Sequence, residues 1–162
     1  MADLPKKAGS RVRVRNFLET HGLAEQIHEF EQSTKTAAEA ADAMGCDLGQ
    51  IVKSLVVVVD GERPVVALVA GDRKGDLRAI ADELSGTKAK MADADAVRAA
   101  TGYAIGGVSP FALPEELPVL VDDSLLRFET VYPAAGTPSS MVRMSREELL
   151  GMCRGRVARI SL

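Results

Sequence analysis

The sequence predicts an α+β fold in which helices surround a mixed, barrel-like β-sheet. Residues 51–60 and 64–72 are rich in β-branched side chains and flank a short turn, which is typical of a β-hairpin. Both predicted strands are apolar on both faces, as expected for strands in the middle of a covered sheet. Helical and strand patterns do not follow a strict β-α-β alternation, so a mixed sheet is favoured over a parallel one.

Size and composition indicate one globular domain. The chain has 162 residues, of which 46% are hydrophobic and 27% are charged, so it is long enough to bury a substantial core. We expect residues 1–10 to form a loose leader and residues 11–162 to form the domain. No stretch approaches the roughly 20 apolar residues of a membrane span, and the N-terminus lacks the apolar core of a signal peptide. A cytoplasmic location without membrane contact is therefore expected.

The charge of the chain argues against a protein that binds nucleic acid through an overall basic surface. The formal net charge is -3, whereas domains of that kind usually carry a clear basic excess. We expect no DNA binding, and any contact with RNA must be local. One basic cluster near the N-terminus forms either a solvated tail and helix start or a phosphate contact. Its members are Lys6, Lys7, Arg11, Arg13 and Arg15.

Three elements are predicted before the hairpin. Apolar spacing indicates a short amphipathic helix over residues 12–22, and residues 26–31 are compatible with a first strand. The next helix has a complete set of boundary signals. Thr36 is its predicted N-cap, Glu39 completes a capping box, and Gly45 is its predicted C-cap.

The second half of the chain alternates between short elements and one long loop. Residues 101–118 contain too many glycines and prolines for a regular element, so they are predicted to form a structured loop. The other predicted elements are a helix at 73–86, a strand at 87–92, a helix at 93–100, a strand at 117–123, a strand-turn-strand unit at 130–145, a helix at 145–153 and a strand at 156–162.

Metal catalysis and a serine triad are poorly supported. His21 and His28 are the chain's only histidines, and they form no metal-binding or triad motif. Cys46 and Cys153 are far apart in sequence and are predicted to be reduced packing residues. We therefore expect no metal and no other cofactor.

Two further polar segments have structural explanations. Residues 71–76 carry glycine and basic residues, but they lack the spacing of a phosphate-binding loop and are interpreted as a strand exit and helix start. Asp122 and Asp123 precede a turn, where carboxylates usually cap main-chain N–H groups.

Lys53 is harder to explain by structure alone. A period of two places it on the same face as Ile51, Leu55 and Val57, where an amine is costly unless it reaches a polar cleft. A partly desolvated lysine is useful to an enzyme because its field acts strongly on developing negative charge. The alternative is a lysine near a strand end whose amine reaches water.

Residues 106–110, with the sequence GGVSP, are a second candidate for a functional element. Adjacent glycines allow the main chain to approach a ligand closely, and Pro110 stiffens the exit of the loop. Considered alone, the pattern is also that of an ordinary turn.

Together these two motifs resemble the YbaK-like family, which is related to the editing domain inserted in bacterial prolyl-tRNA synthetases. The marks of the resemblance are an apolar strand bearing Lys53 and Ser54, followed by a GxxxP loop at residues 106–110. The resemblance depends on the order and spacing of these motifs along the chain. Supporting matches lie at residues 26–30, 90–93, 101–103 and 132–136.

The resemblance implies a β-barrel surrounded by helices and hydrolysis of the ester of a mischarged tRNA without a metal. It also implies that Lys53, Gly106 and Gly107 are catalytic. No general base from the protein is evident. The resemblance implies that a ribose hydroxyl of the terminal adenosine helps to activate or position the attacking water. The substrate-binding residues implied by the resemblance are Phe30, Ser54, Val108, Ser109, Pro110, Ala134 and Gly136.

The expected function is therefore a deacylase that acts in trans on the acceptor end of an aminoacyl-tRNA, including tRNA(Pro). The turn containing Ala134, Ala135 and Met141 lacks the polar groups of relatives that prefer cysteine, so alanine, serine or threonine is expected as the substrate amino acid. Two other hypotheses remain open at this stage. One is a catalytically idle tRNA-binding or regulatory relative, and the other is a domain whose lysine binds a small carboxylate.

Overall fold

A computed structural model describes residues 9–162, and it confirms the predicted α+β fold with a curled, half-barrel sheet. Of the predicted leader, only Gly9 and Ser10 fall within the described residues. The helices are α1 (Ser10–Thr20), α2 (Ala37–Met44), α3 (Leu77–Glu83), α4 (Ala94–Thr101) and α5 (Arg146–Cys153). The strands are β1 (Ile27–Glu29), β2 (Ile51–Val59), β3 (Arg63–Ala70), β4 (Ala89–Met91), β5 (Val119–Asp122), β6 (Thr130–Pro133), β7 (Ser140–Val142), β8 (Met144–Ser145) and β9 (Arg156–Ala158).

The predicted hairpin, β2 and β3, forms the centre of the main sheet. The two strands are antiparallel, and their register pairs Val52 with Ala70 and Val59 with Arg63. The path through the sheet runs β8-β6-β2-β3-β5-β9, with β4 also paired to β2. Because alternate side chains enter separate apolar clusters on the two faces, the near-continuous apolar pattern of the hairpin is explained by burial on both sides.

One edge of β2 is paired at both ends and open in between. The parallel strand β6 pairs with β2 at Ile51 and Val52, whereas the antiparallel strand β4 pairs with it at residues 57–59. Residues 53–56 lie between these two pairings. A gap in the sheet therefore exposes the middle of its central strand on one edge.

The local signals around α2 are confirmed. The Thr36 side chain accepts a hydrogen bond from the Glu39 N–H, the Glu39 side chain completes the capping box, and Gly45 ends the helix in the left-handed conformation. The helix predicted over residues 73–86 is shorter. It begins at Leu77, because the Asp76 carboxylate accepts hydrogen bonds from the first N–H groups of the helix.

The unit predicted as strand, turn and strand contains one more break than expected. After β6, the returning segment divides into β7, which pairs with β1, and β8, which pairs with β6.

The predicted loop is confirmed, since residues 102–118 contain no helix or strand. None of the helices within residues 9–162 is long and apolar enough to cross a membrane.

Candidate active site

A cleft of about 610 Å³ opens at the gap in the sheet. Its floor is the exposed part of β2, and its walls come from the connection between β1 and α2, the segment from β4 to α4, and the predicted GxxxP loop. The cleft brings together five of the site residues predicted from the sequence. These are Lys53, Ser54, Gly106, Val108 and Ala134.

Lys53 is half-buried in this cleft, and its amine is bonded rather than unpaired. The Nζ atom donates a hydrogen bond to the main-chain carbonyl of Arg73, at the turn that follows β3. Burial lowers the pKa of Lys53, and the nearby Asp72 carboxylate opposes that change. Asp72 is itself bound through two hydrogen bonds, of 2.7 and 3.0 Å, to the guanidinium of Arg127. The turn at residues 71–76, interpreted from the sequence as a strand exit and helix start, therefore also fixes the predicted catalytic amine.

Ser54 presents its main chain to the cleft. Alternate residues of a strand direct their N–H and C=O groups to the same side. Val56 bounds the gap at the β4 end, because its carbonyl accepts a hydrogen bond of 2.9 Å on this edge from the N–H of Ala92. The main-chain N–H and C=O of Ser54 therefore face the gap as well. Its Oγ is buried and has no hydrogen-bond partner among residues 9–162.

The two glycines of the predicted loop are placed by different contacts. Gly106 has a φ of +87°, and a Cβ there would lie 2.5 Å from Cγ of Lys35, whose alkyl chain covers this point of the cleft wall. A Cβ on Gly107 would lie 2.7 Å from the carbonyl carbon of Thr137 and 2.9 Å from the nitrogen of Pro138. Gly107 thus allows the loop to pack against the turn at residues 137–138, although it does not itself line the cleft.

The other predicted substrate-binding residues lie behind the cleft walls. Ser109 and Pro110 are buried inside the loop, where the Ser109 hydroxyl accepts a hydrogen bond from the main chain of Phe111. Phe30 packs against the small cluster around Met141, and Gly136 is buried against α1. The structure therefore does not place these four residues, or Gly107, on the cleft surface.

Helix α1 supports the loop and turn that flank the cleft. The guanidinium of Arg13 donates a 2.9 Å hydrogen bond to the carbonyl of Gly102 and lies 4.8 Å from the centre of the Tyr103 ring. The Ser10 hydroxyl donates a hydrogen bond of 2.5 Å to the carbonyl of Gly136. The Phe17 ring also stacks on the Phe111 ring, which belongs to the loop at residues 102–118, and the two ring centroids are 5.5 Å apart. Helix α1 thus holds the loop at residues 102–118 and the turn at Gly136 in place.

The described members of the basic cluster predicted near the N-terminus have different roles. Arg13 has a structural role, and Arg11 forms an ion pair of 2.5 Å with Glu29. Arg15 is exposed and forms no ion pair within the described part of the chain. Lys6 and Lys7 lie outside the described residues.

Several cleft residues were not predicted from the sequence. Thr34 and Lys35 lie on the connection before α2, and Met91 and Ile105 line the cleft although their side chains are about half exposed. Exposed apolar side chains beside a cleft are a common sign of a binding surface. That sign cannot be recognised without the fold, because the sequence alone does not show which apolar side chains remain exposed.

No group of three or more potential metal ligands among His, Cys, Asp and Glu is assembled within residues 9–162. Asp122, considered from the sequence as a capping residue, is fully buried and accepts hydrogen bonds from the main chain of Ser124 and Ile160. Burial raises the pKa of Asp122, but the hydrogen bonds that it accepts from the Ser124 hydroxyl, the main chain of Ile160, the Ser161 hydroxyl and the main chain of Ser124 outweigh burial, and the pKa is lowered. The role of this carboxylate is therefore structural.

Comparison with known proteins agrees with the geometry. Residues 31–152 match the family described as an aminoacyl-tRNA editing domain. The protein YwhH of Bacillus subtilis, of uncharacterised function, is 38% identical over 123 residues, which cover 76% of this chain and 78% of YwhH. The multifunctional Ser/Thr-tRNA deacylase ProXp-y of Escherichia coli K12 is 27% identical over 154 residues, which cover 93% and 92% of the two chains.

A solved structure gives the same result for the fold. A crystal structure described as that of a candidate trans-editing enzyme for prolyl-tRNA synthetase superimposes with a TM-score of 0.84 and 37% identity, and the match covers 99% of each chain. The matched editing domain, the deacylase relative and the shared fold together identify an ester hydrolase of the aminoacyl-tRNA deacylase class. The chain belongs to the aminoacyl-tRNA editing family, in its YbaK-like branch.

Proposed function

We propose that this protein acts in trans, in the cytoplasm, and removes alanine, serine or threonine from mischarged tRNA, with tRNA(Pro) as one carrier. The observation that carries the proposal is the position of Lys53, which lines an apolar cleft at the open edge of β2 together with Gly106 and whose amine is held by the Arg73 carbonyl. Such a cleft can hold a small aminoacyl group while the amine acts on the ester. The Ser/Thr-tRNA deacylase ProXp-y supports the choice of a small substrate, and the relative EbsC of Enterococcus faecalis, described as a candidate deacylase of Cys-tRNA(Pro) and Cys-tRNA(Cys), makes cysteine the competing substrate to test.

The chemistry follows from the groups in the cleft. Water attacks the ester carbonyl, the bond from the carbonyl carbon to the ribose oxygen breaks, and the products are the free amino acid and a tRNA with its terminal hydroxyl restored. The ammonium of Lys53 stabilises the negative charge that develops on the carbonyl oxygen, with greater effect because the site is partly desolvated. Gly106, with its positive φ, allows the loop to form the cleft wall against the alkyl chain of Lys35.

The proton acceptor is expected to come from the substrate. Among the described residues that line the cleft, none is a carboxylate, an imidazole or a thiol. A ribose hydroxyl of the terminal adenosine can lie within hydrogen-bond distance of the attacking water and position it. The protein then contributes electrostatic stabilisation and orientation, and the tRNA contributes the group that the cleft lacks.

The mouth of the cleft is suited to the end of a tRNA. The half-exposed side chains of Met91 and Ile105 offer an apolar surface to the adenine ring, and the exposed Lys35 on the cleft wall offers a positive charge to the adjoining phosphate. Since the net charge of the chain is -3, we expect this contact to be local and confined to the acceptor end.

An editing site separate from the amino-acid pocket of the synthetase is needed, because binding energy alone distinguishes poorly between similar amino acids. One methylene changes binding in a synthetase pocket by only about 1–3 kcal/mol, which is too little for accurate translation. A separate cleft that admits small side chains and hydrolyses their esters supplies the missing discrimination.

The proposal is tested with purified protein and a panel of correctly and incorrectly charged tRNAs. We expect release of alanine, serine or threonine at rates well above spontaneous hydrolysis, with little release of proline from Pro-tRNA(Pro). Binding without release would instead indicate the idle relative, and a free carboxylate that binds without any effect of tRNA would indicate the small-molecule site.

A matched pair of arginine variants tests the path of the tRNA. Arg15→Ala is expected to weaken tRNA binding at low salt and to reduce the slope of log Kd against log salt by about one, because a phosphate contact is lost. Arg13→Ala is expected to lower the melting temperature, because the hydrogen bond to Gly102 and the contact with Tyr103 are lost. Neither change should alter which amino acid is removed. An unchanged salt slope in Arg15→Ala would show that α1 does not contact phosphate.

A further inference from the structure

We propose that Thr34 determines substrate specificity, and that its hydroxyl forms a hydrogen bond with the side-chain hydroxyl of a seryl or threonyl substrate. This inference rests on the proposed deacylase function and narrows its substrate to amino acids that carry a hydroxyl group.

Thr34 lines the cleft, and its side-chain hydroxyl is an unsatisfied buried polar group. The residue is only 5% exposed, and its Oγ1 is buried without a hydrogen-bond partner among residues 9–162. Its main chain, in contrast, is fixed, because the N–H donates a 2.7 Å hydrogen bond to the carbonyl of Pro138. The structure therefore fixes the backbone of Thr34 at the cleft wall, while its hydroxyl has no hydrogen-bond partner among the described residues.

Other threonine hydroxyls in the same region are bonded. The Thr36 hydroxyl caps α2, the Thr101 hydroxyl donates to the carbonyl of Val97, and the Thr137 hydroxyl contacts that of Ser140. Buried polar groups in folded proteins are nearly always satisfied, so an exception calls for a physical explanation. A ligand that supplies the missing partner is such an explanation.

A second unpaired hydroxyl lines the same cleft. The Oγ of Ser54 is buried without a partner within the described residues, and the surrounding walls are formed largely by apolar side chains such as Ala37, Ala40 and Val97. Two hydroxyls that both lack partners in an otherwise apolar cleft favour a polar occupant. Each can turn toward that occupant by rotation about its Cα–Cβ bond between staggered positions.

This arrangement discriminates between substrates of similar size. A seryl or threonyl group satisfies the Thr34 hydroxyl, whereas an alanyl group fits the space but leaves it unpaired. A site built to bond a substrate hydroxyl disfavours the analogue without one, because its own buried group is then left without a partner. One neutral hydrogen bond of this kind corresponds to about a twofold to tenfold preference.

The test compares kcat/KM for Ser-tRNA, Thr-tRNA and Ala-tRNA between the wild type and Thr34→Val, which keeps the shape of the side chain and removes the hydroxyl. We expect the serine-to-alanine ratio of kcat/KM to fall about twofold to tenfold. The melting temperature should stay the same or rise, because an unsatisfied buried hydroxyl is removed. Thr34→Ser keeps the hydroxyl and should retain the wild-type ratio.

Thr101→Val is the matched control. Its hydroxyl bonds the Val97 carbonyl at 2.7 Å and accepts from the N–H of Tyr103 at 3.1 Å, and Thr101 itself does not line the cleft. This variant should have a lower melting temperature and an unchanged serine-to-alanine ratio. If the wild type hydrolyses no aminoacyl-tRNA, the proposed function is wrong and this inference is overturned with it. If the wild type is active and Thr34→Val keeps its ratio, only the role of Thr34 is overturned.

Discussion

Replacing Lys53 with alanine is expected to lower the rate of deacylation at least a hundredfold while the protein remains folded. Loss of one group that stabilises an oxyanion typically costs about 2.7–4 kcal/mol of transition-state stabilisation. Lys53→Arg should rescue poorly, because the larger planar guanidinium places its charge differently. Lys88→Ala is the control, since this exposed lysine lies beside the far end of the hairpin, where its carbonyl bonds the N–H of Asp60.

The stability of Lys53→Ala follows from the sign of the pKa shift. Burial lowers the pKa of Lys53, so the folded state disfavours the charged amine relative to the unfolded chain. That destabilising contribution is fully present below the lowered folded-state pKa and disappears as the pH rises toward the unfolded value. At pH 7 the alanine variant loses this cost but also loses the hydrogen bond to Arg73.

We therefore expect a melting temperature within about 4 °C of the wild type, which corresponds to roughly 1 kcal/mol for a chain of this size. The catalytic ammonium should be lost with increasing pH, so the enzymatic rate should fall as the pH passes through the lowered pKa of Lys53. A well-folded Lys53→Ala variant that deacylates at the wild-type rate would show that this lysine is only a strand-end residue whose amine reaches water.

Gly107→Ala is expected to reduce both activity and stability. The added Cβ would lie 2.7 Å from the main-chain carbonyl carbon of Thr137, so the loop and the turn must separate. Overpacking of this kind typically costs about 1–3 kcal/mol, and the melting temperature should fall by about 2–12 °C. Because Gly106 moves with the loop, kcat/KM for deacylation should fall by up to about a hundredfold, as expected for a displacement of about 1 Å.

Gly151→Ala provides the control for the same chemical change. Gly151 lies in α5 with nothing within 4 Å of its added Cβ, and alanine favours helices over glycine by up to about 1 kcal/mol. Its melting temperature should stay the same or rise, with unchanged activity. If Gly107→Ala is less stable but retains the full rate at a temperature where it is folded, the contact between loop and turn is not needed for catalysis.

Much of the fold was predictable because its signals are local. The capping box of Thr36 and Glu39 spans four residues, and the strands of the hairpin are joined by a short turn. Short sequence separation allows one pattern to specify both partners of an interaction. The start of α3 was predicted too early although its signal is also local, because Asp76 was not recognised as the N-cap that starts the helix at Leu77.

The sequence by itself determined the α+β class, the central hairpin and the isolation of Lys53 in an apolar strand. Only the tertiary structure decided what surrounds that lysine. Its amine bonds Arg73, twenty residues away, and the gap in which it lies exists because β6 and β4 pair with different ends of β2. Thr34 reaches the same cleft wall through a bond to Pro138. Such contacts depend on strand order and register between distant segments, which a local pattern of side chains does not specify.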